Sequence, residues 1–328
     1  MGKLDELKGK GLILHHWDTD GVTSTTLLLE KLDRESIGNT IPIIGNYYLT
    51  EEELKKFRGY DFIIIVDLSI PEENIERLYD TIGNILIFDH HLGKHIPYVF
   101  HYNPIIEGKD PSKYPSASWI INDYLSNPVN LYAILGVIGD HEGKIKDNER
   151  IWSIIKVFCE ENNLSFDDLL QMVYLIDSNY KIGDKKSVEN APWLLLEADT
   201  PKDILDNSKW NENLKLLEEE VNLQLSQPLE VKDGVIIRRM NTPYNIISTV
   251  TRRLAWGEKK PAIVINTGFF KDEDQFYARS IGKDLKPLIE KGKRLGFKCG
   301  GKKEVLGAII PKDKTEEFLL EVIEYLRT

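Results

Sequence analysis

The sequence has little cysteine and no apolar run long enough to cross a bilayer. With only two cysteines, Cys159 and Cys299, a disulfide framework and a cysteine-rich zinc site are both excluded. The first residues also lack the apolar core of a secretory signal peptide. These absences argue against membrane and disulfide-stabilised secreted proteins, and we expect a protein of the reducing cytoplasm.

Histidine and charge are both distributed unevenly along the chain. All seven histidines precede residue 142. Residues 230–328 contain 20 Lys and Arg against 14 Asp and Glu, a net charge of +6, so with a whole-chain charge of −11 residues 1–229 carry −17. This division predicts an acidic part that holds metal ions and a basic part that binds an anion. Uneven surface charge without a function is the alternative interpretation.

Short apolar runs recur in the first part of the chain, at residues 11–14, 41–48, 61–67 and 84–88. Because helix-like segments separate them, they predict an α/β fold with a doubly wound parallel sheet and right-handed crossovers. Residues beyond 116 continue as helices, and strands and helices alternate again after residue 230. We therefore predict a catalytic domain at residues 1–190, a helical linker at 191–229, and a smaller α+β domain at 230–328 across a cleft.

Histidines and aspartates stand where the predicted strands end, which is where ligands bind in such sheets. The candidate metal ligands are His16, Asp18, Asp20, Asp67, His90 and Asp140. Six ligands exceed the three or four that one divalent ion takes from a protein, so they predict two ions with Asp67 as the bridge. Mixed imidazole and carboxylate ligands favour Mn²⁺, Co²⁺ or Zn²⁺ over Mg²⁺. The alternative is a set of unrelated turn and helix-capping carboxylates.

The same residues are similar to the four ordered motifs of the DHH phosphoesterase superfamily. The motifs are His16-x-Asp18-x-Asp20-Gly21-x-x-Ser24, the strand-end Asp67, Asp89-His90-His91, and Gly139-Asp140. The spacing of the first motif resembles the RecJ-like branch. The resemblance implies that His16, Asp18 and Asp67 hold one Mn²⁺, while the other is held by Asp20, Asp67, His90 and Asp140; Co²⁺ or Mg²⁺ are the alternative ions. It also implies that His91 faces the scissile phosphate and that Asp89 orients the neighbouring imidazoles.

The last part of the chain resembles the small accessory domain of that family. Tyr277-Ala-Arg279-Ser280 is similar to its Arg-Ser strand, and Cys299-Gly300-Gly301-Lys302 stands in the place of its Gly-Gly-Gly-His motif. The resemblance implies that Arg279, Ser280, Gly300, Gly301 and Lys302 bind substrate. Cys299 replaces a glycine and Lys302 replaces a histidine, so the departures from the family fall on substrate binding rather than on the metal ligands. The basic stretch 283–303 either guides a polyanion or forms a solvated helix face.

The predicted function is that of a Mn²⁺-dependent phosphodiesterase or exonuclease. It hydrolyses single-stranded DNA, RNA or short oligonucleotides with water activated by two metal ions. One alternative keeps the chemistry but takes a cyclic dinucleotide or a nucleotide as substrate. Another is a RecJ-like scaffold of a replication complex, with helicase components as partners and weak or no activity. Trp17 either stacks on a terminal base or packs inside its domain.

Overall fold

The computed structural model describes residues 2–46 and 48–327. The strands are β1 (Gly11–His15), β2 (Ile37–Thr40), β3 (Phe62–Val66), β4 (Ile85–Phe88), β5 (Phe100–Tyr102), β6 (Glu230–Lys232), β7 (Val235–Met240), β8 (Ala262–Asn266), β9 (Glu273–Arg279), β10 (Lys298–Lys302) and β11 (Val305–Pro311). The helices are α1 (Thr19–Lys31), α2 (Glu51–Lys56), α3 (Glu72–Ile82), α4 (Ala117–Tyr124), α5 (Leu131–His141), α6 (Glu149–Asn162), α7 (Phe166–Lys181), α8 (Lys185–Glu197), α9 (Pro201–Leu205), α10 (Ser208–Ser226), α11 (Ile247–Glu258), α12 (Lys286–Arg294) and α13 (Thr315–Arg327). Among these described helices, none has the length and apolar character that a membrane span requires.

The chain divides into two compact units. The first contains Met1–Tyr180 and Asp184–Asn213, and the second contains Lys181–Gly183 and Leu214–Thr328. The change from one unit to the other falls inside α10, within the segment 191–229 that the sequence predicts as a helical linker. Helices α8 and α9 therefore belong to the first unit.

The first unit is built around a five-stranded sheet in the order β2-β1-β3-β4-β5, with every pair parallel. Its central strands are buried on both faces, which explains why their sequences are continuous apolar runs. One face packs against α2 and α3 through Leu12 and Ile63. The other face packs against α1 and α4 through Ile13 and Ile64. The predicted doubly wound parallel sheet is confirmed.

The second strand lies before the position that the sequence predicts. Instead of residues 41–48, the strand is β2, at residues 37–40, and residues 41–46 and Tyr48 contain no strand. Tyr47 lies outside the described residues. Pro42 has no N–H to give to a sheet, and Gly45 turns the chain with a φ of 88°. The apolar side chain of Ile41 is buried from a loop, so its hydrophobicity does not indicate a strand.

The second unit contains a six-stranded mixed sheet in the order β10-β11-β9-β8-β7-β6. Only β7 and β8 pair in parallel among its described strands. Helices α12 and α13 cover one face through residues such as Leu288 and Phe318. Helix α11 and the last turns of α10 pack on the other face through Val250 and Leu217. The predicted second, smaller α+β domain is confirmed as a fold.

Candidate metal centre

The candidate ligands lie at the carboxyl edge of the first sheet. His16 follows β1, Asp67 follows β3, and His90 comes two residues after the end of β4. Asp67 has a φ of 54°, in the left-handed region that Asp and Asn tolerate better than most residues. This turn lets its carboxylate, which is only 2% exposed, return toward the ends of the neighbouring strands.

His16, Asp18 and Asp67 form a first group of ligand atoms. Nδ1 of His16 lies 2.8 Å from Oδ2 of Asp18 and 3.6 Å from Oδ2 of Asp67. The other oxygen of Asp18 accepts a hydrogen bond from the N–H of Gly21 in the first turn of α1, so Asp18 caps that helix. Burial opposes ionisation of Asp18, but His16 and the Gly21 N–H outweigh it and lower its pKa to about 2. Asp18 is therefore an ionised carboxylate, as a metal ligand has to be.

A second group surrounds His90. Its Nε2 atom lies 3.2 Å from Oδ2 of Asp140, 3.4 Å from Oδ1 of Asp67 and 4.0 Å from Oδ2 of Asp20. Asp140 comes from the last turn of α5, and Asp20 from the first turn of α1. The two groups share Asp67, with one of its oxygens in each. The structure therefore brings together all six side chains that the sequence selects as ligands.

The electrostatics of this cluster fit a site for divalent cations. Burial and the nearby carboxylates, first among them Asp20 and Asp18, raise the pKa of Asp67 well above its usual range. Like charges held this close in a buried position repel one another, and divalent cations would offset that repulsion. Imidazole and carboxylate ligands together suit ions such as Mn²⁺ or Co²⁺. The residues present therefore fit two ions, with His16, Asp18 and Asp67 around one and Asp20, Asp67, His90 and Asp140 around the other.

His91 is oriented differently from His90. Its Nδ1 atom lies 2.7 Å from Oδ1 of Asp89, and its side chain is 46% exposed. Burial lowers the pKa of His91, but the hydrogen bond and charge of Asp89 outweigh it and the net pKa is raised. The Asn103 side chain donates a hydrogen bond to the His91 carbonyl. His91 thus presents its other ring nitrogen, Nε2, from a fixed ring.

Asp20 is held by the beginning of another helix. Its Oδ2 accepts a hydrogen bond from the Ala117 N–H at 2.7 Å, and its Oδ1 accepts one from the Ser118 N–H at 2.9 Å. Helix α5 passes so close that a Cβ on Gly136 would overlap Oδ1 of Asp20 and Oγ of Ser118. Asp20 is fully buried. Its position is therefore fixed by backbone donors and by close helix packing.

Asp177 of α7 is a residue of this site that the sequence does not indicate. Its Oδ1 accepts hydrogen bonds from the Thr19 N–H at 3.0 Å and from the Thr19 hydroxyl at 2.7 Å. Thr19 is the first residue of α1 and stands between Asp18 and Asp20. Asp177 therefore anchors the turn that carries two candidate ligands. It belongs to an ordinary amphipathic helix, and nothing in its sequence surroundings distinguishes it.

The substrate residues predicted in the second unit do not all face the same way. Arg279 pairs with Val305, which pairs in turn with Lys302, and residues paired in this way project to the same face. Gly300 lies two positions before Lys302 on β10 and therefore also belongs to that face. Gly301 projects to the opposite face, where a Cβ would lie 3.2 Å from Ile289.

Ser280 and Cys299 also lie away from the face of Arg279. Ser280 is 3% exposed, and its hydroxyl donates a hydrogen bond to the Lys283 carbonyl. Cys299 packs against the core cluster beneath α12 and α13, and burial raises the pKa of its thiol to about 11. The replacement of a family glycine by Cys299 thus affects the core side of β10. Arg279, Gly300 and Lys302 are the predicted substrate residues that share the face toward α11.

Residues 10–147 match the model of the DHH family, N-terminal domain. This segment contains all six candidate ligands together with Asp89 and His91. Residues 10–147 are therefore a DHH domain, as the sequence motifs predict. No curated protein matches the sequence.

Solved structures resemble the chain over nearly its whole length. RecJ from Thermus thermophilus in complex with Mn²⁺ gives a TM-score of 0.72 at 19% identity, covering 98% of this chain and 53% of that one. The chain thus spans about half the length of that protein. An exonuclease RecJ bound to manganese gives 0.69 at 18% identity, covering 98% and 92% of the two chains. A pGpG-specific phosphodiesterase from Vibrio cholerae gives 0.50 at 14% identity, covering 97% and 98%. At these identities the likeness shows the fold.

Proposed function

We propose that this protein is a Mn²⁺-dependent phosphodiesterase that shortens single-stranded DNA, RNA or short oligonucleotides from an end. The shared carboxylate of Asp67 carries the proposal. Its Oδ2 lies 3.6 Å from Nδ1 of His16, and its Oδ1 lies 3.4 Å from Nε2 of His90. A buried carboxylate that contributes one oxygen to each of two ligand groups is the arrangement that a pair of ions needs. Two such ions activate water and stabilise charge on the leaving oxygen in phosphoryl hydrolysis.

The residues of the chain supply orientation and a proton donor. Asp89 holds Nδ1 of His91, so the exposed ring can turn only its Nε2 toward a phosphate or a leaving oxygen. Asp177 fixes the backbone at Thr19, and the first residues of α4 fix the side chain of Asp20. Because these contacts exist before substrate binds, the reacting groups do not have to be reorganised during the reaction.

The charge of the second unit supports a polyanionic substrate. Residues 230–328 have a net charge of +6, although the rest of the chain is strongly acidic. Arg279 and Lys302 lie on one face of the second sheet, with Val305 between them. A guanidinium binds phosphate through paired N–H groups, whereas a lysine acts as a point charge. Two cations on one face suit a substrate with more than one phosphate, so binding should weaken steeply as salt increases.

The proposal is tested with oligonucleotides of both sugars, from dinucleotides to long strands, labelled at one end or the other. Incubation with Mn²⁺, Mg²⁺ or Co²⁺ should give stepwise shortening from one end, and the Asp67→Asn variant should give none. A cyclic dinucleotide in the same series measures the alternative substrate class. Hydrolysis of that compound alone would contradict the proposed substrate. An absence of any metal-dependent product, together with recovery of helicase components in a pull-down, would favour the scaffold instead.

A further inference from the structure

The second unit exposes a tryptophan that the sequence alone does not single out. Trp256, near the end of α11, is 53% exposed, whereas Trp17 beside the metal ligands is 4% exposed. Trp17 is thus a packed side chain, with its ring 4.3 Å from that of His16. Trp256 is therefore the better placed of the two for contact with a ligand.

Two arginines flank the Trp256 ring. The guanidinium carbon of Arg279 lies 4.9 Å from the ring centroid, and that of Arg252 lies 5.5 Å away. More than half of Trp256 remains open with both arginines in place. Arg279 forms no ion pair with any of the described carboxylates, so its charge is available to a ligand. A half-exposed aromatic ring close to two cations is complementary to a ligand with flat rings and negative charge.

The sheet face that carries Arg279 has two adjacent glycines on the strands that lead to Lys302. Gly307 pairs with Tyr277 on one side and with Gly300 on the other, on the same face of the sheet as Arg279. A Cβ on Gly300 would meet nothing within 4 Å, so this position is open. The atoms nearest to a Cβ on Gly307 would be those of the Tyr277 ring at 3.6 Å and the Gly300 carbonyl oxygen at 3.9 Å, which are ordinary contacts. Two glycines side by side let a chain approach the backbone closely.

We propose that Trp256 stacks on a nucleobase of single-stranded nucleic acid while Arg252 and Arg279 bind the phosphates that flank that base. The inference rests on the proposed function, since it names a contact of the same substrate. Every base has a flat face, so such a platform gives affinity without sequence preference. Because Gly300 and Gly307 have no side chains, the neighbouring nucleotides can then lie close to the sheet, with a phosphate at the charge of Lys302.

The test measures binding by the full-length protein without divalent metal, so that no hydrolysis occurs. Fluorescence anisotropy compares a labelled single-stranded oligonucleotide with an abasic strand of the same length, which has the same charge but no bases. Trp256→Ala should weaken binding of the oligonucleotide about tenfold or more and leave the abasic strand nearly unchanged. Trp256→Phe should retain most of the affinity. Leu320→Ala is the matched control, because Leu320 on α13 is equally exposed at 53%.

Each other outcome overturns the inference. Equal weakening for both strands would mean that Trp256 only positions the arginines, and unchanged binding of both would mean that the ring contacts no base. If Trp256→Ala instead removed binding of a protein partner and left nucleic acid binding intact, the surface would be a protein interface. The proposed function is tested separately. If the wild type does not hydrolyse oligonucleotides with Mn²⁺, the proposed function is wrong, but the binding result obtained without metal is unaffected.

Discussion

Oδ1 of Asp67 lies 3.4 Å from Nε2 of His90. The backbone of Asp67 has a φ of 54°, which few residues adopt without strain. The carboxylate is buried, and its pKa is raised by burial and by the neighbouring carboxylates. The buried charge of Asp67 therefore destabilises the fold when no metal is bound, whereas the same carboxylate would coordinate both ions of the proposed pair. Conflict of this kind between stability and function is typical of metal and catalytic sites.

Asp67→Asn separates the charge of this residue from its backbone conformation. Asparagine tolerates a positive φ as well as aspartate does, so the turn should be kept while the charge is lost. We expect metal-dependent hydrolysis to fall by at least about a hundredfold, because the substitution removes the carboxylate charge and leaves one oxygen instead of two to coordinate metal. The thermal midpoint without metal should rise, since a buried repulsion is removed.

Calorimetry with and without Mn²⁺ checks both effects of this substitution. Wild type should be stabilised by Mn²⁺, by about 2.7 kcal/mol when the free ion is a hundred times its dissociation constant, and Asp67→Asn should be stabilised much less. His95→Gln, which changes an exposed histidine outside the ligand groups, is the control and should respond to Mn²⁺ as wild type does. Full Mn²⁺ stabilisation of Asp67→Asn would show that Asp67 is not a ligand.

Gly136→Ala should disturb Asp20 through packing alone. The added methyl group would overlap Oδ1 of Asp20 and Oγ of Ser118, so α5 or the carboxylate has to move. Overpacking of this kind costs about 1–3 kcal/mol, and displacement of Asp20 should also weaken Mn²⁺ binding. Gly143→Ala is the matched control, since nothing lies within 4 Å of its Cβ. Urea unfolding and Mn²⁺ titration of both variants measure the difference, and equal behaviour would refute the packing argument.

Asp177→Ala should loosen the first turn of α1. The substitution removes the acceptor of two buried hydrogen bonds from Thr19, which should cost about 1–3 kcal/mol of unfolding free energy. Asp177→Asn keeps an oxygen at the same place and should restore much of the loss. The Mn²⁺ affinity should decrease in the same order, from wild type through Asp177→Asn to Asp177→Ala, because Thr19 lies between two candidate ligands. If the alanine variant binds Mn²⁺ with wild-type affinity, Asp177 has no positioning role.

Cys299 should react slowly with alkylating reagents. Burial raises the pKa of its thiol to about 11, and only the thiolate is a nucleophile. In a Cys159→Ala background, the rate of iodoacetamide labelling should remain low at about pH 8 and increase as the pH approaches the raised pKa. The same chain in denaturant should label faster at the lower pH, because its thiol then has an ordinary pKa. Equal rates in the folded and denatured chains would place Cys299 on the surface.

The convergence of the candidate ligands can be predicted from the sequence because parallel strands end at a common edge. His16, Asp67 and His90 each come shortly after an apolar run, so their convergence follows from the sheet alone. The turn at Asp67 adds the feature that makes one carboxylate reach two groups. The sequence does not indicate the positive φ of Asp67, since aspartate is also common at strand ends with a negative φ.

Contacts between distant elements are not predictable in the same way. Asp177 meets Thr19 across 158 positions of sequence, and this contact depends on how α7 packs rather than on any local pattern. Ser280 follows Arg279 directly, but its hydroxyl is turned into a local hydrogen bond and buried. Trp256 resembles any other aromatic residue of an amphipathic helix until its exposure and its two arginine neighbours are known.

Anomalous diffraction at the manganese edge, from crystals of the full-length protein soaked in Mn²⁺, tests the shared-carboxylate site most directly. We expect two peaks, one beside His16 and Asp18 and the other beside His90 and Asp140, with a different oxygen of Asp67 coordinating each ion. A single peak, or two peaks that do not both contact Asp67, would contradict the site on which the proposed function depends.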